Sequence, residues 1–417
     1  MADDQLAAID EVVVVGTGFV GLPLALMLAE HGKQVVGVDI DENLVDAIND
    51  QTLHLDEEQL QTLVESDRVN EHLEASTTPR TGDAFVVSVP TPLDEQTKTP
   101  DLTYVVSAVE SILPYLEAGD LINIESTIPP LTCERTVIPL IEEAGFDVGE
   151  EIQLAHSPER ILPGNVFEEI VHNDRIIGGV TEASRRRAAK IYEPFLDAET
   201  YYTDLLSAEL CKLMENTFRD VNIALANEFA LVGEQFDVNM NEVIELANHH
   251  PRVDILTPGI GVGGHCLPVD PWFLNDANPE QTTLITNARR INERMPRVAA
   301  RKVRRAVADL TDPHILALGL TYKPDTNDMR NSAAVAVADD LDADGYSVTR
   351  HDRYVDGDSY STLSELIERE EPDVVLQLVP HTETVAELNR MYSDLREDDV
   401  QILQFTGEDP LDPTQHD

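Results

Sequence analysis

The sequence predicts an α/β protein with two doubly wound domains, each on a parallel sheet, joined by a helical middle. Three observations predict it. Near the N-terminus an apolar run from Glu11 to Val15 leads through Gly16-x-Gly18-x-x-Gly21 into a helical pattern. From Ser207 apolar residues instead recur every three or four positions. After Thr311-Asp312-Pro313 short continuous apolar runs return, as buried parallel strands require. At 417 residues the chain exceeds one typical domain, and the boundaries are expected at 1–200, 201–300 and 301–417.

The first strand and its glycines form a dinucleotide fingerprint in its required context. A second strand, Gln34 to Val38, ends at Asp39. Gly16, Gly18 and Gly21 allow the tight turn, close approach to a pyrophosphate and close helix packing, with Phe19 and Val20 on the same turn. Asp39 would accept hydrogen bonds from a ribose hydroxyl and repel a 2′-phosphate, which favours NAD over NADP. The plain alternative is a structural turn.

Two further strands, Ala84 to Val89 and Leu121 to Glu125, end in Pro90-Thr91-Pro92 and Ser126-Thr127-Ile128-Pro129-Pro130. Ligands bind at the carboxyl ends of strands in such sheets, so Pro90, Thr91, Ser126 and Thr127 are expected to line the cofactor crevice. Each could equally be an ordinary helix cap. The strand Ile152 to Ala155 leads into His156-Ser157-Pro158-Glu159-Arg160, where Glu159 is either a catalytic carboxylate or a solvated loop acid.

In the middle, Leu210, Leu213, Phe218 or Val221, Leu225, Phe229 and Val232 form one apolar stripe on a long helix. Lys212 and Asn216 are four apart and share another face. Cys211 is expected to be packed rather than reactive. The run Thr257-Pro258-Gly259-Ile260-Gly261-Val262-Gly263-Gly264-His265-Cys266-Leu267-Pro268-Val269-Asp270-Pro271 sets Cys266 on a glycine loop with a carboxylate four residues beyond. Glycines let the backbone press its amides against a substrate, and such a setting can stabilise a nucleophilic thiolate. The plain alternative is a glycine loop with an incidental cysteine. Arg289, Arg290, Arg294, Arg297, Arg301, Lys302, Arg304 and Arg305 then crowd one helix, either as an anion or subunit contact or as a face that neutralises acidic surroundings.

In the last unit His314 to Leu320 and Asp373 to Val379 are strands. The polar loop from Thr321 to Ser332 follows the first, and Lys323 and Arg330 read there as anion ligands, with phosphates the obvious candidates. The tail after Gln404 is polar, and its order is expected to be poor.

Composition excludes several classes. With 79 acidic against 29 basic side chains the formal charge is −50, and lysine occurs at only six positions. Such a chain repels itself in dilute buffer, yet it is 42% hydrophobic and clearly periodic, so it is not simply disordered. A globular protein adapted to concentrated salt fits, and nucleic acid is not an expected partner. No apolar run would span a bilayer and no leader pattern opens the sequence, so a soluble cytoplasmic protein is expected. Cys133, Cys211 and Cys266 lie far apart, which argues against disulfides and structural zinc. His249, His250 and His265 lack a recognisable ligand spacing, so no metal is expected.

Together these residues resemble the UDP-glucose/GDP-mannose dehydrogenase family over nearly the whole chain. The matching motifs are Gly16 to Gly21, Ser126 to Pro129, Ser157 to Arg160, Glu209 to Asn216, the cysteine loop, and Gly319 to Pro324 with Asp328-Met329-Arg330. Within the family, His249 to Leu256 running into Gly264-His265-Cys266 and Asp270-Pro271-Trp272-Phe273 is most similar to UDP-N-acetyl-D-mannosamine dehydrogenases. Val269 before Asp270 counts against glucose, whereas Pro268 is closer to the N-acetylglucosamine enzymes, which leaves the sugar open.

The resemblance implies two Rossmann-like domains around a helical dimerisation domain, NAD as cofactor and a UDP-sugar as substrate. It implies a four-electron oxidation at C6 through a thiohemiacetal and thioester on Cys266. Lys212 and Asn216 would stabilise oxyanions, Asp270 and a water held with Thr127 would handle protons, and Glu159 would assist thioester hydrolysis. Lys323 and Arg252, the latter from a neighbouring subunit, would bind substrate, with Arg160, Gly263 and Tyr322 of the matching motifs beside them. Arg330 would reach NAD across the interdomain cleft. The Ser207–Val232 helix would form the dimer core, and Arg289–Arg305 the helix joining the domains. The competing readings are a UDP-glucose or UDP-N-acetylglucosamine enzyme, a β-hydroxyacid dehydrogenase making one hydride transfer, and a sensor that has lost catalysis.

Overall fold

The apolar runs of the N-terminal half become the strands of one sheet. The structure, a computed structural model, describes residues 8–405 other than 56, 162, 163, 237, 356–361 and 398. The polar tail from residue 406 onward lies outside them. Contacts divide the chain into two units, Met1–Glu215 with Trp272–Asn278, and Asn216–Pro271 with Pro279–Asp417.

The first unit carries β1 (Glu11–Val15), β2 (Gln34–Val38), β3 (Leu73–Ser76), β4 (Ala84–Val87), β5 (Leu121–Ile124), β6 (Gln153–His156), β7 (Arg175–Gly179) and β8 (Thr200–Thr203). Their order is β3-β2-β1-β4-β5-β6-β7-β8. Strand direction alternates side chains between faces, so Val12 and Val14 of β1 enter one core while Val13 and Val15 enter the other. Burial on both faces is why this strand reads as an unbroken apolar run. The chain order reverses between β1 and β4, which puts the ligand crevice at the carboxyl ends of those two strands.

One feature departs from the expected parallel sheet. β7 runs antiparallel to β6, and β8 is parallel to β7. The connection from β6 carries Ser157 to Arg160 along the carboxyl edge, and the chain re-enters the sheet from that edge.

In the second unit β9 (His314–Leu318), β10 (Ser347–His351), β11 (Val374–Gln377) and β12 (Gln401–Gln404) form a fully parallel sheet in the order β10-β9-β11-β12. The order repeats that of β2-β1-β4-β5. The likeness extends to the turn after the first strand. Gly16 (φ +92°) donates its N–H to Val38 O at 2.7 Å, and Gly319 (φ +83°) donates to His351 O at 2.9 Å. Both glycines adopt a backbone conformation costly to other residues, which ends β9 at Leu318, two residues short of the expected end.

The long helix spans Leu205–Gly233. Its expected single apolar stripe divides. Leu213 is buried, whereas Phe218 (68%), Leu225 (42%) and Val232 (52%) are exposed, and Met214 joins them at 61%. Three- and four-residue spacing cannot separate a face buried within one chain from a face left open.

The arginine-rich segment lies on the Thr283–Ala306 helix. Arg289 is buried and pairs with Asp220 at 2.5 Å, Lys302 pairs with Glu234 at 2.8 Å, and Arg304 pairs with Asp340 at 2.9 Å. Those three neutralise acids of their own unit. Arg290, Arg294, Arg297, Arg301 and Arg305 are exposed along one side of the helix.

Candidate active site

In the first unit the three fingerprint glycines play unequal parts. A Cβ at Gly16 would lie 2.3 Å from Ser88 O, and one at Gly21 would lie 1.9 Å from Gly16 O, so both are required by packing. A Cβ at Gly18 would meet nothing within 4 Å, so this position opens onto free space at the N-terminus of the Gly21–Glu30 helix. Closed packing at two glycines and open space at the third is the cradle that a pyrophosphate needs. Asp39 sits at the end of β2, where its Oδ2 accepts from Thr17 N at 2.9 Å and Thr17 Oγ1 at 3.2 Å. Phe19, next to Gly18 in sequence, is exposed. These residues fit NAD.

The two loops after β4 and β5 are tied to each other. Val89 N donates to Ser126 Oγ at 2.8 Å, and Thr91 Oγ1 donates to Thr127 O at 2.6 Å. Glu209, from the long helix, accepts from Leu131 N at 2.6 Å and Cys133 N at 2.9 Å, fixing the end of the Ser126–Pro130 loop. Burial pushes the Glu209 carboxyl above its ordinary range. Three positions on from Glu209 on the same helix, Lys212 is buried at 9% exposure.

Glu159 is buried rather than solvated, so of its two readings the loop acid in water is the one the structure removes. It accepts from Ile161 N at 2.7 Å and from Arg160 N, while Arg160 pairs with Glu215 at 2.7 Å. Behind this loop lies a polar cluster that reading the sequence missed. Arg175 Nη1 donates to Glu125 Oε1 at 3.0 Å, and its guanidinium lies 3.9 Å from the Tyr192 ring centroid. Asn123 Nδ2 donates to Tyr192 Oη at 2.9 Å, and Ser157 Oγ donates to Asn123 Oδ1 at 2.9 Å. Burial pushes Glu125 up to about 8, against the pull of Arg175, and the charge of Glu159 adds to the rise. His156 is driven down to about 4 by burial, with its Nδ1 on Ile124 O at 2.8 Å. Glu125 closes an apolar strand, which is the one sequence signal; Arg175 lies 50 residues away and gave none.

In the second unit Cys266 opens a tight turn. The amides of Val269 and Asp270 both donate to the Cys266 carbonyl at 2.9 Å. Asp270 is buried, and Asn216 Nδ2 donates to its Oδ2 at 2.6 Å. The glycines ahead of Cys266 are seated on the loop after β9. Gly264 N donates to Arg330 O at 2.9 Å, and Asn331 Nδ2 donates to Gly264 O at 2.9 Å. A Cβ at Gly263 would come within 2.8 Å of Tyr322 Cβ, and one at Gly264 within 3.2 Å of the Tyr322 ring. The Tyr322 hydroxyl is pushed up to about 12 by burial, with Asp328 and Cys266 adding to it. Cys266, Asp270, Asn216, Gly263 and Tyr322 thus come together.

The anion ligands are differently placed. Arg330 forks onto Asp328, with Nε at 3.0 Å from both oxygens and Nη2 at 2.6 Å from Oδ2. Lys323 is half-buried, and Arg252 is exposed. Among the described residues no group of three or more His, Cys, Asp or Glu side chains is placed to hold a metal ion, and no helix is long and apolar enough to cross a membrane.

Residues 10–196, 206–294 and 316–400 match, in turn, the NAD binding domain, the central domain and the UDP binding domain of the UDP-glucose/GDP-mannose dehydrogenase family. The chain belongs to that family. It is an NAD-dependent nucleotide-sugar dehydrogenase, with NAD as its cofactor. The dehydrogenase is 43% identical over 381 residues to a UDP-N-acetyl-D-mannosamine dehydrogenase of Methanococcus aeolicus, covering 90% of this chain and 85% of the relative. It is 44% identical to an NDP-N-acetyl-D-galactosaminuronic acid dehydrogenase of Ralstonia solanacearum, covering 78% of each. The solved UDP-D-ManNAc dehydrogenase of Pyrococcus horikoshii superposes with a TM-score of 0.87 at 39% identity, covering 95% of both chains.

Proposed function

We propose that this dehydrogenase oxidises the C6 alcohol of UDP-N-acetyl-D-mannosamine to the uronate, with Cys266 as a covalent nucleophile. The observation that carries the chemistry is the Cys266–Asp270 turn, which holds a thiol, a buried carboxylate and the Asn216 amide in one place. A sensor or a single-hydride dehydrogenase has no use for a thiol so placed. The sugar is favoured by the names of the relatives that cover most of the chain.

Bound NAD supplies a hydride acceptor, and a four-electron oxidation takes two of them. Asp270, with a water held by Thr127, takes the hydroxyl proton as the alcohol becomes an aldehyde. Cys266 adds to the aldehyde carbon, and Lys212 and Asn216 stabilise the resulting oxyanion. Loss of the second hydride leaves a thioester. Glu159 assists water in its hydrolysis, which releases the uronate and restores the thiol. Lys323, Tyr322 and Gly263, with Arg160, hold the substrate, and Arg330 holds NAD.

The protein works as a homodimer in this reading, with Met214, Phe218, Leu225 and Val232 covered by a second copy and Arg252 supplied across the interface. Apolar side chains in a row on one helix face are what a partner helix buries. Sedimentation at micromolar concentration in molar KCl should give a dimer; a monomer would remove this part of the account. The acidic surface is suited to concentrated salt inside a cell, so assays belong there.

The substrate test is NADH formation in molar KCl with UDP-N-acetylmannosamine, UDP-N-acetylgalactosamine, UDP-N-acetylglucosamine and UDP-glucose. The mannosamine sugar is expected to turn over with the highest kcat/KM. Preference for another sugar would correct the substrate and keep the mechanism. Inertness of all four in folded protein would favour the sensor.

A further inference from the structure

The second unit contains a chain of buried side chains that ends on the cysteine loop and that none of the assigned roles uses. Asp220 and Asn227 come from the long helix, and Arg289 and Asn292 from the Thr283–Ala306 helix; all four are at most 2% exposed. Arg289 Nη1 donates to Asp220 Oδ1 at 2.5 Å, and Asn292 Nδ2 donates to the same oxygen at 2.8 Å and to Asp220 O at 2.9 Å. With its amide nitrogen committed there, Asn292 presents only its oxygen to Asn227, whose Nδ2 donates to it at 3.0 Å. Asn227 in turn presents its own oxygen to Gly259 N, at 2.8 Å. Each amide orientation is therefore forced by the one before it, starting from a buried ion pair that cannot reverse.

A second contact meets the same residue. Pro296 has no N–H, so the Asn292 carbonyl lacks the helical donor one turn on. Gly261 (φ +135°) is seated there, where a Cβ would lie 3.1 Å from Asn292 O and 3.2 Å from Pro296 Cδ. Asn292 thus meets the loop through its backbone directly and through Asn227 at Gly259.

We infer that Asn227 and Asn292 are positioning residues for the dehydrogenase, clamping the Gly259–Gly264 segment so that Cys266 is held where the reaction needs it. The catalytic consequence rests on the function proposed above; the clamp itself does not. Buried polar networks of this kind are rigid when every partner is present and costly when one is missing. Misplacement of a reacting group by about 1 Å costs on the order of 10²-fold in rate.

The test compares wild type, Asn227→Ala and Asn227→Asp as full-length protein in molar KCl with NAD. Two readouts are needed: steady-state kinetics, and hydrogen exchange of the peptide covering residues 257–270. Asn227→Ala should lower kcat about 10²-fold with KM within about threefold, and the loop peptide should exchange at least about tenfold faster. In Asn227→Asp the protonated carboxyl reproduces both hydrogen bonds and the ionised form does not. Its kcat relative to wild type should therefore rise as pH falls and the carboxyl takes up its proton.

Unchanged exchange in a folded Asn227→Ala protein overturns the clamp. Faster exchange with unchanged kcat overturns its catalytic role, as does a kcat loss without faster exchange. If Asn227→Ala does not fold, Asn227→Asp decides, and kcat and loop exchange that match wild type with the carboxyl at residue 227 ionised count against the inference. Wild type inert on every UDP-sugar would sink the proposed function, while the exchange data would still judge the clamp.

Discussion

Cys266→Ser should lower uronate formation by about 10³-fold or more while the protein stays folded. The substitution exchanges one sulfur atom for a smaller oxygen, and the turn around residue 266 is held by its carbonyl, which accepts from Val269 N and Asp270 N whatever the side chain. What changes is chemical. A thiol has an ordinary pKa of about 8.5 and is readily made anionic, whereas a serine hydroxyl is not, and an ester is a poorer intermediate to release. The first oxidation does not need the thiol, so a single turnover should give at most one NADH per sugar. Measuring uronate and NADH together checks this. Wild-type rates in the serine variant would reduce the loop to a glycine turn.

Lys212→Met should lower kcat by about 10²- to 10³-fold with little change in KM, because an oxyanion donor acts mainly in the transition state. The same change should leave the melting temperature level or raise it. Lys212 is 9% exposed, and an apolar chain of similar length fills the same space without the cost of taking a charge out of water. Activity and stability thus move apart. A kcat loss that tracked a drop in melting temperature would mean that Lys212 is structural, and an unchanged kcat would remove it from the mechanism.

The parts of the fold and site that were legible in the sequence are those where chemistry leaves few alternatives. Gly21 is readable because any side chain there would strike Gly16 O. β1, β4 and β9 are readable because both their faces are buried. β3 (Leu-Glu-Ala-Ser) and β8 (Thr-Tyr-Tyr-Thr) carry no continuous apolar run, since much of each stays half-exposed or exposed, and they pass unnoticed. The direction of β7 is invisible for a different reason: it is set by the edge at which the chain re-enters the sheet, not by the residues of the strand.

Within the proposed site, residues that carry their own chemistry are legible in the sequence, and residues proposed to act through others are not. Cys266, Lys212 and Asp270 announce themselves by type and spacing. Glu125 and Arg175, or Asn227 and Asn292, are ordinary polar residues separated by 50 and 65 positions, and only the fold joins them. The opposite error also occurred. Leu213 and Phe218 look alike in an apolar stripe, yet one is core and the other open surface.

The most direct test of the account is the amount of NADH formed per UDP-sugar consumed, with the sugar limiting and NAD in excess, in molar KCl. A four-electron oxidation through Cys266 predicts two, with the uronate as the only sugar product. One NADH per sugar, with the sugar left as aldehyde, would contradict it.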